Sequence, residues 1–583
     1  NSLFNGTNGC YNQGTLAASL NNLSNDGSCN TTATSQLYVA DLGDYGGPTK
    51  SMALLPGSPA INGGNATYCD GNDQRGESRV GTCDIGAFES HGFQMSKTSG
   101  DNQSAQTTDE FSNPLQVTLT ANDAREPVAN GGVTFAGPSS GASLTPTSVI
   151  VTVDATGLAS GAVTANSVIG NYVVTASANG ATPDVTFSLT NTVCVGTTVT
   201  NAIDSGAGSL RQAIADVCDG GTIRFDNDTT IYLNSSLTIN RELAIDGSGH
   251  IITLSGDSGH DGDRDVLPIS IQSSGVVTIS SMIVVSGTDL GTGGGAIHNL
   301  GDLRIYDSLF QDNYAYSGDG AGGGAIYNNN QLLVARSAFL DNEALRNGGA
   351  LRNTATATVV NSTFSGNYAG ANGGAIYNSD GTLTAINNTI SENDSVGTKG
   401  IHNSSSGSLD LRNNLIYGNG TGGFSCFGFG TTSGSNNLIG GSTNCPGVAL
   451  SSDPKRSSLG TYASDTPIYA LQLGSPAIDA GDSAACSNSA VSGEDQRGES
   501  RSAGTSCDIG AYEAQFMVNI VSGDGQSTPS NNDFSNPLVV NLSSKNGEPL
   551  GTDSSTITFS GPNSGAGLAQ SYSTTITGTN SVS

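Results

Sequence analysis

The sequence lacks tryptophan and is poor in basic residues, with 20 lysines and arginines against 50 aspartates and glutamates. The net charge of −30 argues against partners that are themselves polyanions, which excludes nucleic acid and anionic membrane surfaces. No run of about 18 apolar residues occurs, so no membrane-spanning helix is predicted, and no signal peptide is visible. Only 12% of the residues are charged and helix formers are scarce, which argues against both a disordered chain and a helical protein.

Glycine is abundant, with 81 residues, and together with asparagine, serine and threonine it favours β structure with many tight turns. A long repeat is superimposed on this composition. Asp-Gln-Arg-Gly-Glu-Ser-Arg at residues 73–79 returns at 495–501, an offset of 422, and Phe-Ser-Asn-Pro-Leu at 111–115 returns at 534–538, an offset of 423. We therefore expect a piece of a longer tandem array that begins inside one module and stops inside another.

The ten cysteines fall into five local pairs, and the pairs in the first copy have counterparts in the second. An even number and short separations predict disulfides and therefore an oxidising, extracellular setting. Zinc is the alternative, but the Cys-x-x-Cys spacing and clustered histidines of zinc sites are missing. The predicted pairs are Cys10–Cys29, Cys69–Cys83, Cys194–Cys218, Cys426–Cys445 and Cys486–Cys507.

A shorter period lies inside the long one. Gly-Gly-Ala-Ile-x-Asn and its variants recur between residues 294 and 403, with aliphatic positions 29, 25, 25 and 25 residues apart. A second motif, Phe-x-x-Asn, follows the first three copies and continues after the last two with Ile in place of Phe. Three short strands in about 25 residues predict one coil of a parallel β-helix, with asparagine ladders at the turns and a rise of about 4.8 Å per coil. The aliphatic positions are Ile297, Ile326, Leu351, Ile376 and Ile401.

One helix is predicted, at residues 208–219, ahead of the coils. Ser209 and Gln212 have capping-box spacing, and Leu210, Ile214 and Val217 lie on one apolar face. We expect this helix to plug the open end of the β-helix core.

Residues 94–192 have a different pattern, in which alternating strands are separated by Gly, Pro and Asn turns. About seven short strands in 100 residues predict an immunoglobulin-like sandwich. The clearest predicted strands are residues 115–119, 132–135, 149–153, 172–176 and 185–189.

The coil motifs resemble the repeats of bacterial polymorphic outer-membrane proteins. Residues 209–214, Ser-Leu-Arg-Gln-Ala-Ile, are similar to the leader motif "CSLREA" of large bacterial surface proteins, with Gly208 in place of its cysteine. Residues 475–482, 495–501 and 507–513 resemble the choice-of-anchor Q ending of such β-helices. The sandwich resembles the Ig-like repeats of invasin- and intimin-type adhesins.

These resemblances imply an all-β fold in which right-handed, pectin-lyase-like parallel β-helices alternate with Ig-like sandwiches in a tandem array. The expected modules follow from the repeats. They are the end of one β-helix at 1–93, a sandwich at 94–192, a complete β-helix at 193–514 and the start of the next sandwich at 515–583.

Candidate sites are few. Asp261, Asp263 and Asp265 alternate as in a calcium loop, although the glycine and distal glutamate of an EF-hand are missing and a solvated loop is the alternative. The charged residues at 73–79 and 495–501 either bind an acidic sugar or form internal salt bridges, which we favour. No catalytic constellation of carboxylates, histidines or nucleophiles is visible, so we expect no enzyme.

The predicted function is that of a bacterial extracellular, cell-surface protein, built as a rigid fibre, stalk, filament or adhesin. A carbohydrate-binding or carbohydrate-cleaving β-helix is the first alternative, and a calcium-dependent matrix protein is the second. The expected partners are further copies or a longer chain of the same kind, and a host surface or polysaccharide. Calcium is the single cofactor to consider, and nucleic acid and a membrane span are not expected.

Overall fold

The structure is a computed structural model with two compact units, Asn1–Val195 and Gly196–Ser583, each taken here by itself. The described residues are 1–4, 21–25, 32–34, 36–69, 71–79, 81–193, 196–289, 291, 293–316, 322–501, 504–545, 550, 556–561, 567–568, 572–575 and 581–582.

The second unit is dominated by a parallel β-solenoid, which confirms the predicted parallel β-helix and all-β class. Each coil adds one strand to each of three long sheets, and every strand pairs in parallel with the strand one coil further on. Ile326, for example, pairs with Leu351 and Leu351 with Ile376, so the repeated aliphatic positions lie directly above one another.

The three long sheets are named in the order in which the chain first enters them. Sheet 1 consists of Thr197–Val199, Gly221–Phe225, Glu242–Asp246, Val276–Ser280, Asp302–Tyr306, Gln331–Ala335, Thr356–Val360, Thr382–Ile386, Ser408–Arg412 and Thr431–Ser435. Sheet 2 consists of Thr229–Tyr232, Ile252–Ser255, Met282–Val285, Leu309–Gln311, Ala338–Leu340, Thr363–Ser365, Thr389–Ser391, Leu415–Ile416, Asn437–Ile439 and Val448–Leu450. Sheet 3 consists of Leu237–Ile239, Ile269–Ile271, Ile297–Asn299, Ile326–Asn328, Leu351–Asn353, Ile376–Asn378, Ile401–Asn403, Phe424–Gly428 and Ser442–Thr443.

The central coils contain a fourth strand that the repeat pattern did not predict. It has only two residues per coil and lies between sheet 2 and the glycine-rich corner that leads to sheet 3. Sheet 4 consists of Thr288–Asp289, Tyr314–Ala315, Glu343–Ala344, Tyr368–Ala369 and Asp394–Ser395.

The solenoid core is a stack of aliphatic and aromatic side chains that point inward from successive coils. The phenylalanines of the Phe-x-x-Asn motif stack almost parallel, with ring centroids 5.0 Å apart for Phe310 and Phe339 and 4.6 Å apart for Phe339 and Phe364. All three rings are fully buried, and Ile390 continues the column in the next coil. The core therefore repeats the sequence period coil by coil.

The predicted asparagine ladders are present at three corners of the described coils. At the corner after sheet 1, Asn388 Nδ2 donates to Asn414 Oδ1 at 3.0 Å, and Asn414 Nδ2 donates to Asn437 Oδ1 at 3.1 Å. At the corner after sheet 2, Asn342 Nδ2 donates to Asn367 Oδ1 at 2.9 Å, and Asn367 Nδ2 donates to Asn393 Oδ1 at 2.8 Å. At the corner after sheet 3, Asn328 donates to Asn353 and Asn353 to Asn378, each at 2.7 Å. These amides also satisfy backbone groups inside the coil, so buried polar atoms cross-link neighbouring coils.

The Gly-Gly corner before sheet 3 requires glycine for steric reasons. A Cβ atom added to Gly324 would lie 1.8 Å from the carbonyl oxygen of Gly349 in the next coil. The stacking of coils at this corner therefore excludes any larger residue.

The predicted helix forms as α1, Leu210–Asp216, and it is shorter than the predicted span. Ser209 is its N-cap and accepts from the Gln212 amide at 3.2 Å, but the Gln212 side chain bonds Asp216 instead of closing the box. Leu210, Ala213 and Ile214 join the same hydrophobic core as the first strands of sheet 1. The helix thus packs against the start of the solenoid.

After the last coil the chain folds back over sheets 1 and 2, in a segment we call the second clasp, residues 454–514. It contains one short helix, α2, Ser483–Cys486. The Tyr469 hydroxyl meets Ser365 Oγ at 2.7 Å, and Gln496 Oε1 accepts from Thr363 at 2.7 Å. The clasp covers outward side chains of sheet 2 and is not a further coil.

Beyond the second clasp the described chain is antiparallel. One sheet contains Phe516–Ser522, Val539–Ser544 and Ser581–Val582, and a hairpin pairs Thr556–Phe559 with Tyr572–Thr575. Gln526 repeats the contacts of Gln103 in the first copy: each side-chain amide donates to two backbone carbonyls, at 2.7–2.9 Å. Both copies of the repeat therefore form the same local structure here.

The first unit begins with a small parallel sheet of Leu3–Phe4, Leu23–Ser24 and Thr32–Ala33. The first clasp, residues 36–91, follows and contains a 3-10 turn at Ala66–Tyr68. Two further sheets then pack around one core that includes Phe135 and Phe187, whose ring centroids lie 5.9 Å apart. The first of these two sheets consists of Gln103–Gln106, Val185–Thr192, Gly170–Ser177, Gly132–Ala136 and Ser148–Thr152. The second consists of Ala181–Thr182, Phe93–Ser99, Leu115–Ala121 and Leu158–Gly161.

Within the described part of the chain, three of the five predicted cysteine pairs are confirmed as disulfides: Cys69–Cys83, Cys426–Cys445 and Cys486–Cys507. Cys10, Cys29 and Cys194 lie outside the described residues. Cys218, two residues after α1, is buried and disulfide-bonded. Among the described residues, no helix has both the length and the apolar character needed to cross a bilayer.

Candidate functional site

The charged residues at 495–501 are directed into the second clasp. Arg497 pairs with Asp495 at 2.7 Å with both side chains fully buried, and its guanidinium carbon lies 3.8 Å from the centre of the Tyr512 ring. Arg501 Nη2 reaches Asn361 of the solenoid at 2.9 Å, and Glu513 accepts from the Asp508 amide at 2.8 Å. These groups hold the clasp against the solenoid through internal contacts.

The first clasp repeats this arrangement. Arg75 pairs with Asp73 at 2.8 Å, its guanidinium carbon lies 3.6 Å from the centre of the Phe88 ring, and Glu89 accepts from the Asp84 amide at 2.9 Å. Arg79 pairs with Glu89 at 3.0 Å. Both copies of the densest charged motif therefore form internal ion pairs, which is the alternative that the sequence favoured.

Several clasp carboxyls hold their protons unusually tightly. Burial raises the pKa of Asp84 from its ordinary value of 3.8 to about 6, although the amides of Ser90 and Asn62 donate to its carboxylate. Burial and then the charge of Asp508 raise the pKa of Glu513. In both clasps, therefore, the folded state binds protons that the unfolded chain would release.

The raised pKa of Asp84 predicts that the first unit loses stability as the pH rises. The contribution is complete below pH 3.8 and is lost as the pH passes through 6, because only the folded carboxyl keeps its proton in that range. Between pH 4.5 and 6.5 we expect the free energy of unfolding to fall by about 2 kcal/mol. Urea titrations of wild type and Asp84→Asn measure it, and the variant should show a flatter profile. The exposed Asp41→Asn is the control, and an equal pH dependence in all three proteins would contradict the assignment.

The predicted calcium loop is only partly assembled. Ligand oxygens of Asp257, Asp261 and Asp265 lie within 4.8 Å of one another, so Asp257 takes the place that the alternating pattern gave to Asp263. The loop already uses these oxygens internally, since Asp265 accepts from Ser258 Oγ at 2.8 Å and Asp257 accepts from two loop amides. A calcium site here stays a prediction.

A second carboxylate cluster lies in the first unit, where His91, Asp123 and Glu126 approach one another within 4.8 Å. Arg75 and Arg125 pair with its carboxylates, at 3.4 Å for Glu126 and with a shorter contact to Asp123. The two arginines supply the positive charge that a metal ion would otherwise bring.

A different feature lies on the outer face of sheet 3. In each Gly-Gly-Ala-Ile-x-Asn motif the residue x sits between two buried positions of a strand, so it must point outward. Successive coils place these residues directly over one another in register, and Phe427, which lies outside the motif, continues the row in the next coil. We call them the stripe: His298, Tyr327, Arg352, Tyr377, His402 and Phe427.

The stripe is a continuous stack along the solenoid. His298 and Tyr327 have ring centroids 5.3 Å apart, Tyr377 and His402 5.2 Å, and His402 and Phe427 5.5 Å. Arg352 lies between the two tyrosines, with its guanidinium carbon 5.9 and 5.8 Å from their ring centres. The stack holds a cation between two aromatic rings in its middle.

Arg352 differs from the other arginines. Its Nε and Nη1 atoms are buried and have no hydrogen-bond partner among the described residues. Apart from the exposed Arg346 in the same coil and Arg241, which donates to the Val217 carbonyl, each arginine of the described residues pairs with a carboxylate. The paired arginines are Arg75, Arg79, Arg125, Arg211, Arg224, Arg264, Arg304, Arg336, Arg412, Arg456, Arg497 and Arg501.

The histidines of the stripe are neutral at physiological pH. Burial lowers the pKa of His402 to about 4, and its Nδ1 lies 2.9 Å from Thr398 Oγ1. Burial also lowers the pKa of His298. The last stripe residue, Phe427, packs edge-on against two exposed rings. Its ring centroid lies 4.7 Å from that of Phe424 and 4.5 Å from that of Phe429. The stripe therefore offers aromatic surface, neutral hydrogen-bonding groups and one positive charge.

Sequence reasoning missed the stripe although its signal was in the motif. The glycine, aliphatic and asparagine positions drew attention because they repeat, whereas x varies among His, Tyr and Arg. Strand alternation places x on the surface, and five bulky aromatic or cationic residues at one surface position were the available clue.

The chain is thus an all-β protein built around a β-solenoid of tandem coils. Residues 361–379 match the Chlamydia polymorphic membrane protein repeat, over a stretch that includes strands of sheets 2, 3 and 4 and the stripe residue Tyr377. No curated protein matches the chain significantly.

Proposed function

We propose that the chain is a rigid structural segment of a bacterial surface protein, of the fibre, stalk, filament or adhesin kind. The observation that carries this proposal is the uninterrupted pairing of ten successive strands in each of two sheets. Ten strands at about 4.8 Å extend the solenoid by about 45 Å. Such a ladder resists bending because every coil is hydrogen-bonded to the next along its length.

Two further features support a structural role. Both clasps contain the same ion pairs and a disulfide, so the module with its internal fastening is repeated as a unit. The asparagine ladders add cross-links between coils at three corners. We propose that right-handed, pectin-lyase-like β-helices of the choice-of-anchor Q type alternate with Ig-like sandwiches at the predicted boundaries, 94–192 and 515–583.

We propose an extracellular, cell-surface location and no enzymatic activity. The disulfides require an oxidising compartment to form and persist. The match to the Chlamydia polymorphic membrane protein repeat supports the same location, because that repeat takes its name from membrane proteins. Self-association or continuation in a longer chain supplies the remaining length of the fibre.

Electron microscopy of native, unheated material tests this function. We expect long, stiff fibres with an axial period on the order of 90–100 Å, corresponding to one β-helix and one sandwich. Removal of divalent cations with EDTA should leave the period unchanged, since the ladders and clasps hold the module without metal. Compact isolated particles without a period would contradict the proposal, and softening by EDTA would favour the calcium-dependent alternative.

A further inference from the structure

We propose that the stripe on sheet 3 binds a linear polysaccharide that carries widely spaced carboxylates, with Arg352 as the residue that receives a carboxylate. The starting point is the unmet hydrogen-bonding capacity of this guanidinium. It has five N–H donors, none of which bonds a described residue, and two of its nitrogens are shielded from water by their surroundings. Buried donors without acceptors are rare in folded proteins and point to a missing partner.

The charge of the missing partner follows from the surroundings of Arg352. In a chain with 50 acidic and 20 basic residues, carboxylates are plentiful, and most of the other arginines have one. The fold nevertheless leaves Arg352 between Tyr327 and Tyr377, with the exposed and equally unpaired Arg346 in the same coil. An anionic ligand is the natural complement to two unpaired guanidinium groups.

The shape of the partner follows from the spacing of the stripe. Neighbouring stripe residues are one strand apart, about 4.8 Å, and they form a straight row along the solenoid. A linear chain of pyranose rings advances by a comparable step per sugar. Tyrosine and histidine suit such a ligand because each combines an apolar ring with a polar tip.

The charge density of the partner must be low. Only one of the six stripe residues is charged at neutral pH, and the net charge of the chain is −30. The neighbouring sheet 4 presents Glu343 and Asp394 on its outer side, and Asp394 pairs with Lys399 at 2.7 Å. A densely sulfated or phosphorylated polymer would meet more repulsion than these two arginines can compensate, whereas isolated uronate groups would not.

The test is direct binding to the full chain in solution, which does not depend on fibre formation and therefore distinguishes this site from the structural role. Hyaluronan oligosaccharides serve as the sparsely charged uronate probe, heparin oligosaccharides as the densely sulfated probe and dextran as the neutral probe. Isothermal titration calorimetry gives the affinities of wild type, Arg352→Met, Arg352→Lys and a matched control. The control is Arg304→Met, on the outer face of sheet 1, where the arginine pairs with Asp302 at 2.8 Å.

We expect hyaluronan to bind more tightly than heparin or dextran. Arg352→Met should weaken that binding about tenfold or more, as expected for loss of a hydrogen bond between charged groups, and Arg352→Lys should recover part of it. Arg304→Met should change the affinity less than twofold, and unchanged urea midpoints should show that all variants are folded. Binding unaffected by Arg352→Met, a preference for heparin, equal binding of dextran, or no binding of any probe would each overturn the proposal.

Discussion

Replacing Phe339 by alanine should lower the free energy of unfolding of the solenoid by about 3–5 kcal/mol, the usual cost of removing a buried aromatic side chain. Phe339 is the middle ring of the phenylalanine column, fully buried and stacked on both sides at 5.0 and 4.6 Å. The backbone of each coil is held in register by its neighbours, so the cavity cannot collapse easily. Urea unfolding followed by circular dichroism measures the change.

Tyr368→Ala is the matched control for Phe339→Ala. Tyr368 belongs to the next coil and is an aromatic residue with 41% of its surface exposed, so its loss should change stability by no more than about 0.5 kcal/mol. Equal effects of the two substitutions would contradict the assignment of Phe339 to the core. A smaller loss in Phe339→Ile is also expected, because Ile390 occupies the equivalent position two coils further on.

Replacing Asn342 by alanine should cost about 2–6 kcal/mol, because it leaves two buried backbone groups without partners at about 1–3 kcal/mol each. Asn342 Nδ2 donates to the Phe310 carbonyl at 2.9 Å. Its Oδ1 accepts from the Asn313 amide at 3.2 Å and from Asn313 Nδ2 at 2.9 Å. The deletion therefore breaks the ladder between three coils, and urea unfolding again gives the size of the loss.

Asn329→Ala provides the comparison for Asn342→Ala. Asn329 is exposed at the corner after sheet 3, where its side chain makes one hydrogen bond, to Thr354 at 2.9 Å. Its removal should cost less than about 0.5 kcal/mol. If Asn342→Ala were no more harmful than Asn329→Ala, the ladders would be a consequence of composition and not a source of stability.

The coils were predictable because their stabilising contacts join equivalent residues of successive repeats. Ile326, Leu351 and Ile376 recur at the strand period, and Asn342, Asn367 and Asn393 recur at the corners, so the sequence period and the stacking period are the same. The strands of residues 94–192 followed from alternation in the same way. The short strands of sheet 4 were not predicted, because two residues are too few to produce a pattern.

In the predicted calcium loop and in the clasps, by contrast, the sequence did not indicate which residues come together. Alternation put Asp263 beside Asp261 and Asp265, but the turn of the loop brings in Asp257 instead. The sequence favoured internal pairs for Arg497 and Arg501, yet nothing in it indicated that Arg501 reaches Asn361, 140 residues earlier in the chain. Contacts of this kind join residues that share no period, so only the folded chain reveals them.

The sequence by itself determined the class of protein: an acidic, cysteine-paired, tandemly repeated β-solenoid with asparagine ladders and glycine corners. These properties are local or periodic, and they follow from strand alternation, turn chemistry and the spacing of identical motifs. Tertiary structure alone decided what lies on the surface of the solenoid. The clasp covers sheet 2, while the stripe residues on sheet 3 are partly exposed and Arg352 is unpaired between two tyrosines. The outward faces that are covered depend on where a non-repeating segment of the chain folds back. Because that segment has no repeat of its own within the solenoid, the sequence period does not predict where it packs.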